Sequence, residues 1–219
     1  MTIPRNLSFL AEGASSTGVL GVANGGTGNV SLTAGYIPYG NGTSAFSSSS
    51  NLNFNGISLG IGTTPFANSL SNGLDLSGGA GLWGFSNQTE LTCNAYYNYG
   101  FYYKANGYAN LYQMQFGQHQ FLVATSGTAN SVISFTQAVT IFNSGGVSIG
   151  NTTDAGAGNL SVSGTIKTQG YTVATLPTGV TGARAYVTNA LAPSYGATVV
   201  GGGAITIPVF YNGTNWIVA

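Results

Sequence analysis

Charged side chains are nearly absent. Arg5, Glu12, Asp75, Glu90, Lys104, Asp154, Lys167 and Arg184 are the whole set in 219 residues, four of each sign, and the net charge is zero. A soluble domain ordinarily carries charge on about a quarter of its residues. No basic stripe is available to displace counterions from a phosphate backbone, which excludes a nucleic-acid partner. A disordered chain of high charge and few aromatics is excluded by the 13 tyrosines and 11 phenylalanines. Cysteine occurs once, at Cys93, and histidine once, at His119. One thiol makes no intrachain disulfide, and one thiol with one imidazole makes no zinc framework, so neither metal nor cofactor is expected. Cys93 reads as a small, half-buried packing residue. No apolar run approaches the roughly 18 residues of a membrane span, so membrane insertion is not expected. The opening Met1-Thr2-Ile3-Pro4-Arg5 lacks a basic region followed by an apolar stretch, so no secretory signal is expected.

Polarity is supplied instead by Ser, Thr, Asn and Gln, and 35 glycines punctuate the chain. That profile predicts an all-β protein of many short strands and tight connections. An uncharged surface gives subunits little mutual repulsion, so self-association is expected.

The chain repeats itself. Gly56-Ile57-Ser58-Leu59-Gly60-Ile61-Gly62-Thr63-Thr64 followed by Leu74-Asp75-Leu76-Ser77-Gly78 returns as Gly146-Val147-Ser148-Ile149-Gly150-Asn151-Thr152-Thr153 followed by Leu160-Ser161-Val162-Ser163-Gly164. Each copy holds two short alternating strands, Ile57 with Leu59 then Leu74 with Leu76, and Val147 with Ile149 then Leu160 with Val162, separated by a Thr-Thr turn, and reads as a hairpin-sized unit. Such a unit presents an apolar face too small to bury alone, and must lie against a neighbouring unit or another copy of the chain.

Around the repeats the sequence divides into five segments. Residues 1–35 form an N-terminal connector with a weak helical pattern over residues 5–12; its glycine cluster at 21–28 lacks the flanking strand, helix and Lys-Ser/Thr of a phosphate loop. Residues 36–78 are a first shaft unit, opening with an Asn41-Gly42 hairpin signal. Residues 79–145 form a tyrosine-rich domain in which Tyr112, Met114 and Phe116 alternate with Gln113 and Gln115, and His119, Phe121 and Val123 continue the pattern. With turns expected at Asn106-Gly107 and Ser126-Gly127, this segment reads as an antiparallel sandwich or jelly roll. Residues 146–168 are a second shaft unit. Residues 169–219 form a small C-terminal β module with strands around 171–174, 183–188 and 205–211, an Asn212-Gly213 hairpin and a final strand at Trp216-Ile217-Val218.

The run Asn94-Ala95-Tyr96-Tyr97, Tyr103-Lys104 and Ser126-Gly127-Thr128-Ala129-Asn130-Ser131-Val132-Ile133-Ser134-Phe135-Thr136 resembles a module of bacteriophage tail-fibre and related virion proteins, where it sits between Gly-x-Ser-Ile-Gly elements. The repeats look like fibre-shaft units of that family. Ala174-Thr175-Leu176-Pro177, Ala183-Arg184-Ala185-Tyr186-Val187-Thr188 and Asn212-Gly213-Thr214-Asn215-Trp216 are similar to a C-terminal module of phage structural proteins. The resemblance implies an elongated homotrimeric fibre of a tail or capsid, made in the host cytoplasm and carried on the virion. It would dock to a capsid or tail protein through the N-terminal segment, with Arg5, Leu7, Phe9 and Leu10 as anchoring candidates, and leave distal β modules for the host surface. Three chains about a closed axis bury what one thin shaft cannot.

Enzymatic tailspikes are the alternative. Glycan cleavage needs two carboxylates about 5–9.5 Å apart. Glu12, Asp75, Glu90 and Asp154 form no local pair, so no catalytic residue is assigned, and His119 reads as a packed or hydrogen-bonded strand residue. A cellular adhesin or ice-binding protein is a third reading, without the regularly spaced strand threonines it needs. For binding to a host glycan or protein, the candidates are Tyr96, Tyr97, Tyr99, Tyr102, Tyr103, Tyr108 and Tyr112, whose rings stack on sugars while their hydroxyls hydrogen-bond. The same residues suit strand packing and subunit interfaces.

Overall fold

The computed structural model describes residues 14–16, 18–65 and 72–219. The fold is all-β, with short 3-10 turns at Val22–Asn24 and Val173–Thr175. Two compact units divide the chain, residues 1–163 and 164–219. The helical pattern over residues 5–12 and the anchoring candidates Arg5, Leu7, Phe9 and Leu10 lie outside the described residues.

In the first unit, β1 (Tyr39–Asn41) and β2 (Ser44–Ser47) form the hairpin signalled by Asn41-Gly42, with Gly42 at φ 61°. The segment before it is held close: the Phe46 amide donates to the Thr27 carbonyl, and a Cβ on Gly26 would lie 2.6 Å from the Leu20 carbonyl carbon. The strands that follow are β3 (Leu52–Phe54), β4 (Leu59–Ile61), β5 (Asn72–Leu76), β6 (Ala80–Phe85), β7 (Gln88–Cys93), β8 (Ala95–Tyr97) and β9 (Phe101–Tyr103). After these come β10 (Gly107–Gln115), β11 (Gln118–Gly127), β12 (Thr136–Ile141), β13 (Val147–Ile149) and β14 (Leu160–Val162). Ten of them make one sheet in the order β14-β13-β12-β11-β10-β7-β6-β5-β4-β3. The remaining pair, β8 and β9, forms a separate two-stranded ribbon.

This sheet is continuous across the boundaries expected at residues 78–79 and 145–146. In place of two facing sheets of similar size in the tyrosine-rich segment, the long strands β7, β10 and β11 lie side by side with both repeats, and the β8–β9 ribbon caps part of one face. The turn positions also differ from expectation. β10 and β11 are joined at Phe116 (φ 51°) and Gly117 (φ 73°), the pair of positive φ values that a two-residue hairpin turn requires. Gly107 and Gly127 are paired strand residues, not turn tips.

The two repeats adopt one topology. β3 pairs antiparallel with β4 and β4 parallel with β5; β12 pairs antiparallel with β13 and β13 parallel with β14. Their registers correspond, with Leu59 opposite Leu74 and Ile61 opposite Leu76 in one, Val147 opposite Leu160 and Ile149 opposite Val162 in the other, so the first repeat's strand is Leu59–Ile61 and not the expected Ile57 with Leu59. The strands of each repeat are therefore not the hairpin that their spacing suggested. A parallel pair needs a connection that carries the chain back to the end it came from. In the second repeat residues 150–159 do so by folding over the sheet, where Ser148 Oγ donates to the Thr153 carbonyl at 2.6 Å and the Val147 amide to Asn159 at 2.9 Å.

The second unit is a four-stranded sheet in the order β15-β16-β17-β18, made of β15 (Gly170–Tyr171), β16 (Arg184–Ala190), β17 (Ile205–Tyr211) and β18 (Trp216–Val218). Its core is Ala185, Val187, Ala190, Val199, Val209 and Val218, with Tyr171, Leu176 and Trp216 packed against it. The expected strand at 171–174 is cut short by the 3-10 turn, which Thr172 and Thr175 close with a reciprocal capping box. Val218 pairs with Val209, so the apolar end of the chain is a sheet strand, and Trp216 Nε1 donates to the Pro177 carbonyl at 3.1 Å.

Candidate functional site

Strand side chains alternate between faces, so the register of the ten-stranded sheet decides what each face carries. One row of cross-strand neighbours runs Gly73, Trp83, Glu90, Gln113, Gln120, Thr140, Ser148 and Ser161. Glu90, Gln113, Gln120, Thr140 and Ser148 are all buried. Amide side chains satisfy one another along this face. Gln115 Nε2 donates to Gln113 Oε1 at 2.8 Å, Gln113 Nε2 donates to Glu90 Oε1 at 2.8 Å, and Gln88 Nε2 donates to the same carboxylate oxygen. Burial holds the Glu90 carboxyl above the usual carboxylate range, partly opposed by the hydrogen bonds from Gln113 and Gln88.

Next to the end of the row Trp83, 2% exposed, lies over Gly73 of the neighbouring strand β5 and Gly81 of its own strand β6. Lys104 Nζ stands 5.7 Å from the Trp83 ring centroid and pairs with Asp75 Oδ1 at 2.7 Å, both side chains buried. This places a polar, hydrogen-bonded layer where a soluble protein usually puts hydrocarbon.

The opposite face is apolar and bare. Phe54 faces Leu59, which faces Leu74, then Leu82, then Leu91. The same row continues through Tyr112, Phe121, Val139, Ile149 and Val162, so it crosses all ten strands without a polar interruption other than the tyrosine hydroxyl. The flanking rows are mixed but uncharged: Ile61, Leu76, Cys93 and Val123 with Asn110 and Thr136 on one side, and Met114, His119, Ile141 and Leu160 with Asn72 and Thr89 on the other. Cys93 is exposed on this face rather than half-buried.

The seven tyrosine candidates do not form one cluster. Tyr96 and Tyr102 stack across the β8–β9 ribbon with centroids 5.5 Å apart and planes at 23°, and Tyr96 Oη donates to Asn130 Oδ1 at 3.2 Å. Tyr97 meets Phe101 edge to face, and Tyr99 stands at the ribbon tip, 78% exposed, on a backbone with φ 52°. Tyr96 and Tyr102 share one side of the ribbon and Tyr99 stands at its tip, whereas Tyr97 points to the other side with Phe101, Ala95 and Tyr103. Tyr103 is 4% exposed and packs against Gly127 among Ala95, Ala109, Ala124 and Ile133, where its ring is closed to any ligand. Tyr108 is exposed but belongs to β10 of the large sheet rather than to the ribbon. Tyr112 belongs to the apolar sheet face, stacked on Phe121 at 4.8 Å and hydrogen-bonded through Oη to His119 Nδ1 at 2.6 Å.

Among the described residues no group of three or more His, Cys, Asp or Glu side chains could hold a metal ion. Each described carboxylate side chain is engaged: Asp75 with Lys104, Glu90 with glutamines, and Asp154 with Ser144 Oγ and the Gly156 amide. Among the described residues no helix is long and apolar enough to cross a membrane. In the second unit, Arg184, Tyr195, Pro208, Phe210 and Ile217 line a groove of about 600 Å³. Sequence reasoning missed the glutamine–glutamate layer, although Gln88, Gln113, Gln115, Gln118 and Gln120 recur with the strand period that could have signalled it. No family model, curated protein or solved structure matches the chain.

Proposed function

We propose that the chain is a non-enzymatic subunit of a virion fibre, of a phage tail or capsid, that forms homotrimers, docks to the particle through its N-terminal segment and adheres to the host surface. The observation that carries this reading is the duplicated three-stranded unit, β3–β4–β5 and β12–β13–β14, with matching register at two places in one sheet. A unit that recurs without changing its hydrogen-bond pattern is the element from which a shaft is lengthened. The order of sequence motifs, with the tyrosine-rich segment between Gly-x-Ser-Ile-Gly elements, supports the same assignment.

The engagement of Asp75, Glu90 and Asp154 in structural hydrogen bonds favours adhesion over glycan cleavage. Adhesion falls to the outer side and tip of the ribbon, Tyr96, Tyr99 and Tyr102, which offers ring faces and hydroxyls to a host glycan or protein. Weak contacts of this kind gain strength by repetition around a trimer.

Immunogold labelling and peptide mass spectrometry of purified particles test the reading directly. The chain is expected as a fixed, multiple-of-three component at an appendage; its absence from particles, or release of reducing sugar ends from host polysaccharide by the purified protein, overturns it. Replacing Tyr99 and Tyr102 by alanine is expected to lower adsorption to host cells by about fivefold or more, the effect of removing an interface anchor of at least about 1 kcal/mol. Unchanged adsorption by that variant, with its association state intact, refutes the role of the ribbon.

A further inference from the structure

We infer that the bare apolar face of the ten-stranded sheet is the surface on which copies of this chain close against one another. Ile61, Leu82, Leu91, Phe121, Ile149 and Leu160 are each between 40% and 60% exposed, although they project from hydrogen-bonded strands spread from β4 to the edge strand β14 of one sheet. Together with their neighbours in the three rows they leave on the order of 900 Å² in contact with water, above the roughly 300–600 Å² of the largest patch on a typical monomer. That area meets the roughly 800 Å² per partner of a standard stable interface.

The occupant follows from chemistry. The three rows contain no Asp, Glu, Lys or Arg, so the face makes no repulsion against an identical face and offers no charge by which a different partner could be selected. The opposite face is already covered and hydrogen-bonded within the chain, so the protein has spent its own loops on the polar side and left hydrocarbon outside. Association of like faces about a rotation axis closes without leaving an open end. The number of copies, three, rests on the fibre reading; the face itself does not.

Cys93, the sole cysteine, lies in this face two residues from Leu91 and reports on it without mutation. In the native full-length protein, alkylation by N-ethylmaleimide is expected to be slower by about a hundredfold or more than in denaturant, because the thiol opens only with the assembly. Light-scattering mass measurement across a dilution series is expected to show an oligomer. Leu91→Lys, which replaces a half-exposed side chain and leaves a foldable chain, is expected to shift the mass to monomer and free Cys93, whereas Tyr99→Lys on the ribbon tip changes neither. A monomer with freely reactive Cys93 overturns the inference and assigns the face to some other partner. An oligomer with reactive Cys93 that survives Leu91→Lys overturns it too, while leaving the fibre reading intact. A dimer with protected Cys93 supports this face and removes the threefold count instead.

Discussion

Trp83 sits over two glycines, and that contact can be broken from beneath. A Cβ built on Gly73 would lie 2.6 Å from Trp83 Nε1, and one on Gly81 would lie 2.7 Å from Trp83 Cη2, with other ring atoms closer still. Neither fits under a ring 2% exposed, and Gly73→Ala must lift the indole off the sheet. Losing most of the burial of a tryptophan costs about 3–5 kcal/mol. Lys104, held beside the ring by Asp75, moves with it, so the cost falls at the upper end.

Gly84 is the internal control. It lies on β6 beside Trp83, meets nothing within 4 Å of a built Cβ and has an ordinary φ, so Gly84→Ala is expected to be neutral or to stabilise by about 0.4–1 kcal/mol. Urea unfolding followed by circular dichroism, at one fixed protein concentration because association contributes to stability, separates the two. With a slope of about 2 kcal/mol/M, Gly73→Ala lowers the midpoint by about 1.5–2.5 M. Shrinking the ring should relieve the clash, so Gly73→Ala with Trp83→Leu is expected to cost less than the two changes added. Equal midpoints for Gly73→Ala and Gly84→Ala would refute the packing of Trp83 against the sheet.

Two further predictions concern the buried charges. Glu90 is held above its unfolded value, so between the two values the folded chain binds more protons; stability therefore falls as pH rises through that window and is greatest on its acid side. Glu90→Gln is expected to flatten the dependence and to stabilise the protein at neutral pH, which thermal melts from pH 4 to pH 8 measure. Lys104→Met leaves Asp75 buried without its cation and is expected to cost about 3–5 kcal/mol in urea unfolding. Lys104→Met with Asp75→Asn should recover part of that loss.

Period-two alternation made the strands legible in the sequence. Tyr112, Met114, Phe121 and Val123 were readable as one side of β10 and β11, and the Asn-Gly pairs marked two hairpins. The turn at Phe116-Gly117 was hidden because phenylalanine is an unusual residue at positive φ. The parallel pairing of β4 with β5 and β13 with β14 was hidden because strand spacing alone does not say which way a connection returns. Of the candidate site, the aromatic residues were visible and their partition was not: Tyr103 in the core, Tyr112 on the sheet face, and Tyr96 with Tyr102 stacked on the ribbon follow from contacts between residues distant in the chain.

By itself the sequence determined an all-β chain with two copies of one strand unit and almost no charge, because composition and local periodicity act within a few residues. Only the tertiary structure decided which side of each alternating strand is covered. The covered side is the polar one, since Thr63 and Pro65 after β4, the loop after β13, the β8–β9 ribbon and the glutamine layer pack there, and the hydrocarbon side is left open. Alternation fixes that two faces differ; burial depends on what else the chain brings to each of them, and that is a property of long-range contacts.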